Sequence, residues 1–185
     1  MPVEEYAYIL DYLPQGVPSA GFGKKEPVCY AIGEMEFKLF ELVAKSNAVV
    51  SIGERTFIGK DSETQKRDII DHVKRRITYN DLTSNAISEL EFVVTDIVKN
   101  DQTRFIDFIN KAEAISMRKH SLEELPGLGK KSLNIILDER KKGSFKDFDD
   151  LAARTGIKAP EKLVVARILL EIEDPDRKHY LFISR

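Results

Sequence analysis

Along the first eighty residues apolar side chains recur at every second position in short runs, and from Asp81 onward they recur at every third and fourth. The first run sets Tyr6, Tyr8, Leu10 and Tyr12 against Ala7, Ile9, Asp11 and Leu13, which is strand alternation with the first set on one face. A loop of turn formers, PQGVPSAGFGKKEP, follows it. Three further strands are predicted at 28–32 (VCYAI), 36–43 (EFKLFELV) and 54–59 (ERTFIG), separated by segments that contain glycine or asparagine. Strands this short, at this spacing, predict a small antiparallel barrel or sandwich. Residues 68–77, DIIDHVKRRI, fit both periods, since Ile69, Val73 and Ile77 suit a strand and a helical face equally.

In the second regime Thr83 is placed to cap a helix whose inward positions are Ala86, Leu90, Val93, Val94, Ile97 and Val98. Asp101 and Thr103 introduce another, with Phe105, Ile106, Phe108, Ile109 and Ala112 facing inward. From Ser121 the elements shorten. Ser121 is expected as an N-cap with Glu124 as its capping-box partner, and the resulting single turn ends at Pro126. A helix then begins at Gly129 or Lys130 and runs to about Lys142, where Gly143 stops it. A short helix around 148–154, a turn at Thr155-Gly156-Ile157 and a helix opened by Pro160 come next. The predicted class is α+β in four segments: a β-barrel domain over 1–80, a two-helix brace over 81–117, a pair of helical hairpins over 118–175 and a tail over 176–185.

Composition narrows the picture. The chain of 185 residues is long enough to bury a core in one or two units. It contains no apolar run of the roughly 18 residues a membrane span needs. The acidic start, MPVEEYAYILDY, lacks a basic segment followed by an apolar one, so no secretory signal is expected. One cysteine, Cys29, excludes an internal disulfide framework and suits a reducing cytoplasm, the expected location. The net charge of −2 favours no partner, but its distribution does. Residues 81–116 hold 3 basic and 7 acidic side chains, whereas the strip 125–146 holds six basic ones against Asp138 and Glu139 alone. A local basic patch on a near-neutral protein is the usual footprint of a phosphate-bearing partner.

That patch coincides with ELPGLGKKSLNIILDERKKG, residues 124–143. Gly127 and Gly129 lack Cβ atoms, so the turn between two helices can take positive φ and admit another backbone. Leu128 between them pins the turn inward. The amides around Leu128 to Lys131 then open a helix, where unsatisfied donors and the helix dipole favour an anion. Lys130 and Lys131 oppose that dipole unless an anion is present, so the turn has the chemistry of a phosphate site.

LPGLGKKSLNIILDER resembles the helix-hairpin-helix motif of nucleic-acid-binding proteins, and GSFKDFDDLAARTGIKAPEKL is similar to the linker and second hairpin of its tandem form. The resemblance implies sequence-independent contact with a phosphate backbone through Gly127, Leu128, Gly129, Lys130, Lys131 and Ser132. In the second hairpin Lys158 stands where the family has glycine and Glu161 brings a negative charge to the helix start, which makes that hairpin a structural partner. Together with this tail, the amino-terminal segment resembles an OB-type or S1-like barrel. The combination is similar to an archaeal family of uncharacterised proteins to which RNA binding is ascribed. Such barrels stack bases on aromatics beside a basic groove, and the matching residues are Tyr6, Tyr8, Tyr30 and Phe57 with Lys24, Lys25, Lys74, Arg75 and Arg76.

Other chemistries fit less well. A tandem-hairpin nuclease signature needs an aspartate where Phe145 follows Glu139-Arg140-Lys141, and Asp147, Asp149 and Asp150 lie in the linker rather than in a glycosylase frame. His72, His120 and His179 lack metal-ligand spacing, and the GFGKK loop lacks that of a P-loop. The expectation is therefore a non-catalytic nucleic-acid-binding protein, RNA before DNA, with no metal or cofactor. The competing expectation is a protein-interaction adaptor that uses the hairpins as packing units, with the acidic helices over 83–115 also packing against the partner.

Overall fold

The amino-terminal alternation becomes five strands, β1 (Tyr6–Leu13), β2 (Val28–Gly33), β3 (Leu39–Ala44), β4 (Arg55–Phe57) and β5 (Ile70–Ile77). The structure is a computed structural model that describes residues 3–17 and 25–184. All four pairings are antiparallel and the order across the sheet is β4-β1-β2-β3-β5. Side chains from every strand pair meet in one core: Ala7, Ile9, Cys29, Ala31, Leu42, Ala44 and Ile70, joined by Ile58 and Ile69. Residues beside the two edge strands, Ile58 and Ile69, share that core, so the sheet is curled into a half-barrel. Arg67 spans the remaining gap. Its guanidinium donates to the carbonyls of Ile58 (2.9 Å) and Gly59 (2.7 Å) on one side and Asp71 (3.0 Å) on the other.

Bulges make the curl and break the alternation. In β1 the register shifts between Ile9 and Asp11, so Leu10 is an extra residue and Tyr12 packs with the Ala7 and Ile9 face. The expected single face of Tyr6, Tyr8, Leu10 and Tyr12 is thereby corrected. In β5 two shifts leave Asp71 and Lys74 without ladder partners. With Asp71 inserted, Ile70 and Val73 face the same core although they are three residues apart, opposite Ala44 and Leu42, whereas Ile77 pairs with Leu39; that odd spacing blurs the strand alternation.

The β2–β3 turn is built around a buried carboxylate. Glu4 accepts the N–H of Met35 (2.9 Å) and of Glu36 (2.7 Å). A Cβ on Gly33 would lie 2.2 Å from the Glu4 Cδ, so only glycine leaves room for this clamp. Phe37 closes the turn at φ +56° with its side chain buried, a conformation that costs a bulky residue about 1–3 kcal/mol. Burial of the ring, worth about 1.5–3 kcal/mol, offsets it.

The fold is mixed α+β, with five helices among the described residues: α1 (Ser84–Asn100), α2 (Gln102–Lys111), α3 (Lys130–Lys142), α4 (Phe148–Thr155) and α5 (Glu161–Glu173). Thr83 caps α1, accepting the Ala86 N–H at 3.1 Å and donating to Asp11 on β1. The chain divides into two compact units, residues 3–93 with 171–184 and residues 94–170, so the expected brace over 81–117 is shared between them. No helix of the described residues is long and apolar enough to cross a membrane.

The helical unit is tied by side chains that satisfy loose backbone. Asn110 exchanges two hydrogen bonds with the Phe145 backbone, at 2.8 and 3.0 Å. Arg154 donates to the carbonyls of Glu139, Gly143 and Ser144 while lying over the Phe145 ring, so it closes the carboxy-terminal end of α3. Arg140 does the same for α2 through the Ile109 carbonyl.

Candidate functional site

Leu125-Pro126-Gly127-Leu128 forms a type II β-turn. The Leu128 N–H donates to the Leu125 carbonyl at 3.2 Å, with proline at the second position and Gly127 at φ +88° in the third. Pro126 and Gly127 are therefore dictated by the turn. Gly129 is not. It is the N-cap of α3 at φ −80° and ψ 167°, an extended conformation open to any residue, and nothing lies within 4 Å of where its Cβ would be. Neither backbone geometry nor packing within the chain calls for glycine there.

No side chain caps α3. Among the described residues no hydrogen bond engages the amides of Gly129, Lys130, Lys131 and Ser132, and the Leu133 N–H is the first to bond within the helix, to the Gly129 carbonyl at 2.9 Å. The side chains of Lys130 and Lys131 are exposed and form no ion pair among the described residues. Four amide donors and two exposed lysines thus lie along one open turn, with Leu128 half-buried beside them.

The turn stands on a rigid base. A 3-10 turn, Ser121–Glu124, precedes it, and its cap is His120 rather than the expected Ser121. His120 Nδ1 accepts the Leu122 N–H at 3.1 Å, while Glu123, not Glu124, accepts the His120 N–H at 2.7 Å. Partial burial, with the nearby Arg140 cation, holds the His120 pKa below the ordinary histidine value. Glu124 is released for another role: Arg167 on α5, only 3 % exposed, pairs with its carboxylate at 3.4 Å and donates to its carbonyl at 3.2 Å. Lys119 approaches the same carboxylate at 3.4 Å. The sequence carried one signal of Arg167: an arginine among Val164, Val165 and Ile168 on an otherwise apolar helix face.

At the second expected hairpin Gly156 takes the left-handed conformation (φ +75°), Ala159 does so too (φ +48°), and α5 starts only at Glu161. That connection, residues 156–160, is as long as the first, residues 125–129, but it leads into a helix that opens on a carboxylate.

The expected groove of the sheet is distributed differently. Tyr8 and Tyr30 are core, at 5 % and 4 % exposure, and cannot offer a ring to a base. Tyr6 and Phe57 are half-buried and engaged with each other edge-to-face at 5.4 Å, with the Arg55 guanidinium 3.7 Å from the Tyr6 ring. The basic run is also split. Arg75 is paired with the buried Glu41, and Lys74 lies 3.7 Å from Glu26. Arg76 is exposed and without an ion pair among the described residues, and Lys25 is exposed. Lys24 lies outside the described residues. Glu139 is occupied by Lys142 (2.8 Å) and Arg154 (3.6 Å), and Asp150 by the Lys146 N–H and Arg154. Among the described residues no group of three or more His, Cys, Asp or Glu side chains is placed to hold a metal ion. Burial in the sheet core pushes the Cys29 thiol up to about 12, which makes it inert.

Residues 3–184 match the family described as Protein of unknown function (DUF655). The chain belongs to that family. It is 42% identical over 182 residues to the uncharacterised protein MJ0038 of Methanocaldococcus jannaschii, a match covering 98% of this chain and 80% of that one. The crystal structure of Af1531 from Archaeoglobus fulgidus, also of DUF655, superposes with a TM-score of 0.89 at 41% identity, over 98% of this chain and 100% of that chain. The half-barrel and the helical unit are thus held in common with a DUF655 relative.

Proposed function

We propose that this DUF655 protein is a non-catalytic nucleic-acid-binding protein. It holds the phosphate backbone, with RNA as the favoured partner, at the turn from Gly127 to Ser132. The observation that carries the reading is Gly129, a glycine that the chain's own conformation and packing do not need, set among free amides and two unpaired lysines. Close approach by an outside group accounts for the missing side chain, and an anion accounts for two cations at the positive end of a helix. The turn offers no side chain suited to base edges, so contact is with phosphate and barely depends on sequence. In this reading the preceding 3-10 turn and α3 form a helix-hairpin-helix unit, and α4 and α5 its packing partner. The half-barrel, whose strand order suits an OB-type barrel, is a second surface.

The test is fluorescence anisotropy with mixed-sequence RNA and DNA oligonucleotides at low salt. Lys130→Glu combined with Lys131→Glu removes two attractions and adds two repulsions at exposed positions. Folding stability should change by no more than about 0.5 kcal/mol, and affinity should fall by at least about tenfold. A folded double variant that binds like the parent removes this turn as the contact surface.

A protein-adaptor reading is favoured by one feature, Phe92 on the acidic α1, which is 69 % exposed. Pull-down that survives Lys130→Glu and Lys131→Glu but not Phe92→Ala would decide for it.

A further inference from the structure

The first unit carries a pocket of about 150 Å³ between the β2–β3 turn, the end of β5 and the segment after α5. Its lining mixes aromatic and aliphatic side chains, the half-buried Tyr79 and Tyr180 among them, with polar ones, and the buried Phe37 backs it. Two polar side chains on its rim, Arg76 and Asn80, make no hydrogen bond or ion pair among the described residues, although the Arg76 charge helps hold the Glu36 carboxyl below its ordinary pKa. The other charges there are spoken for. Lys38 is 2.6 Å from the Glu36 carboxylate, and the Glu171 carboxylate accepts the N–H groups of Leu181 and Phe182. Thr78 is engaged by Asp81, whose carboxylate accepts its N–H at 2.9 Å.

The walls are fixed in advance. Glu4 clamps the turn that holds Phe37 in its left-handed conformation, and Glu171 with the Tyr180 hydroxyl, donating to the Asp174 carbonyl at 2.9 Å, holds the opposite side. A strained residue held by its surroundings at the wall of a cavity is characteristic of a ligand clamp. Preformed concavities with apolar walls and a few unspent polar groups are where small molecules bind.

The size and the two side chains without a hydrogen bond define the occupant. A cavity of about 150 Å³ takes one aromatic ring, as known benzene-sized cavities do. An asparagine amide presents a donor and an acceptor side by side, which matches the paired donor and acceptor on the edge of a nucleobase. A guanidinium suits a phosphate. We propose that this pocket binds a pyrimidine nucleotide, with the ring against the half-buried Tyr79 and Tyr180, its edge on Asn80 and its phosphate on Arg76. The site is separate from the turn at Gly129 and does not depend on it. The nucleotide is either free in solution or the terminal residue of a strand.

The experiment is an amide-resolved NMR titration of the full chain with UMP, CMP, AMP, uridine and inorganic phosphate. UMP or CMP should saturably shift the amides of Phe37, Lys38, Leu39, Arg76, Ile77 and Asn80, while uridine and phosphate alone act more weakly. Arg76→Gln should weaken UMP binding about tenfold, as loss of a charged phosphate contact does. Asn80→Ala should reduce the advantage of UMP over inorganic phosphate. Both positions are exposed, so both variants fold. Lys130→Glu with Lys131→Glu should leave the titration unchanged, whatever becomes of strand binding at that turn. A 5′-phosphorylated oligouridylate that binds more tightly than UMP identifies a strand end as the source; equal or weaker binding identifies the free nucleotide. The proposal is overturned if neither pyrimidine monophosphate gives a saturable shift, if Arg76→Gln changes nothing, or if AMP binds as well as UMP.

Discussion

At the scale of single residues, Gly127 and Gly129 stand two positions apart and are glycine for different physical reasons. Gly127 supplies a positive φ that a type II turn requires, whereas Gly129 supplies only empty space. Replacement by valine separates the two. Gly129→Val should leave thermal stability nearly unchanged, because its φ is ordinary and no neighbour lies within 4 Å, yet should lower affinity for a phosphate backbone. Gly127→Val should destabilise by about 1–3 kcal/mol through backbone strain. Circular dichroism melts beside anisotropy on the same samples make the comparison; a Gly129→Val protein that binds like the parent shows that nothing approaches that residue. Gly33 is a third kind, a glycine that makes room for a carboxylate. Gly33→Ala would set a Cβ 2.2 Å from the Glu4 Cδ and should destabilise by about 1–3 kcal/mol, as overpacking does. The Glu4→Ala background should show a smaller loss from the same change, measured by urea denaturation.

At the scale of elements, the 3-10 turn before Gly127 depends on a neutral histidine. His120 Nδ1 accepts the Leu122 N–H only while that nitrogen carries no proton. Burial, with Arg140 nearby, lowers its folded pKa below the ordinary histidine value, so the unfolded chain binds the proton more readily. Stability from this group is therefore full above the ordinary histidine range and declines as pH falls through 6.5 toward the folded value. Melting curves above and below that range should show the decline, and His120→Asn, which keeps an acceptor but does not titrate, should show less of it. This cap was illegible in the sequence, because Ser121 and Glu124 satisfy the ordinary capping-box spelling one residue later. The alternation of β1 and the three-and-four spacing of α1 and α2 were legible, since both follow from which side chains are buried. The bulges at Leu10, Asp71 and Lys74 were not: a bulge is a property of the ladder, and one residue's slip moves Tyr12 to the other face. Arg75 likewise looked like a third free cation, and only folding brings Glu41 against it from 34 residues away.

At the scale of the whole molecule, a net charge of −2 leaves no general attraction for a polyanion, so strand binding must come from local groups. The open turn offers two ammonium groups and a set of backbone amides. Amides hold a phosphate without bringing a countercharge of their own, so they contribute affinity with little counterion release. Lysines release counterions, and on a single strand each phosphate neutralised steepens the dependence of log K on log salt by about 0.7. Binding through this turn alone should therefore show a shallow slope, about −1.4 for two contacts. Lys130→Ala with Lys131→Ala should bring the slope near zero while leaving residual, salt-insensitive binding by the amides. A groove on the half-barrel would behave otherwise, since adding Lys25 and Arg76 to the lysines of the turn would carry the slope to about −2.8. Anisotropy titrations across a salt series on the parent, the double-alanine variant and Arg76→Gln distinguish these surfaces. If the parent slope is near −1.4 and Arg76→Gln leaves it there, the strand is held at the turn. A steep slope that Arg76→Gln reduces by about one contact places part of the strand on the half-barrel.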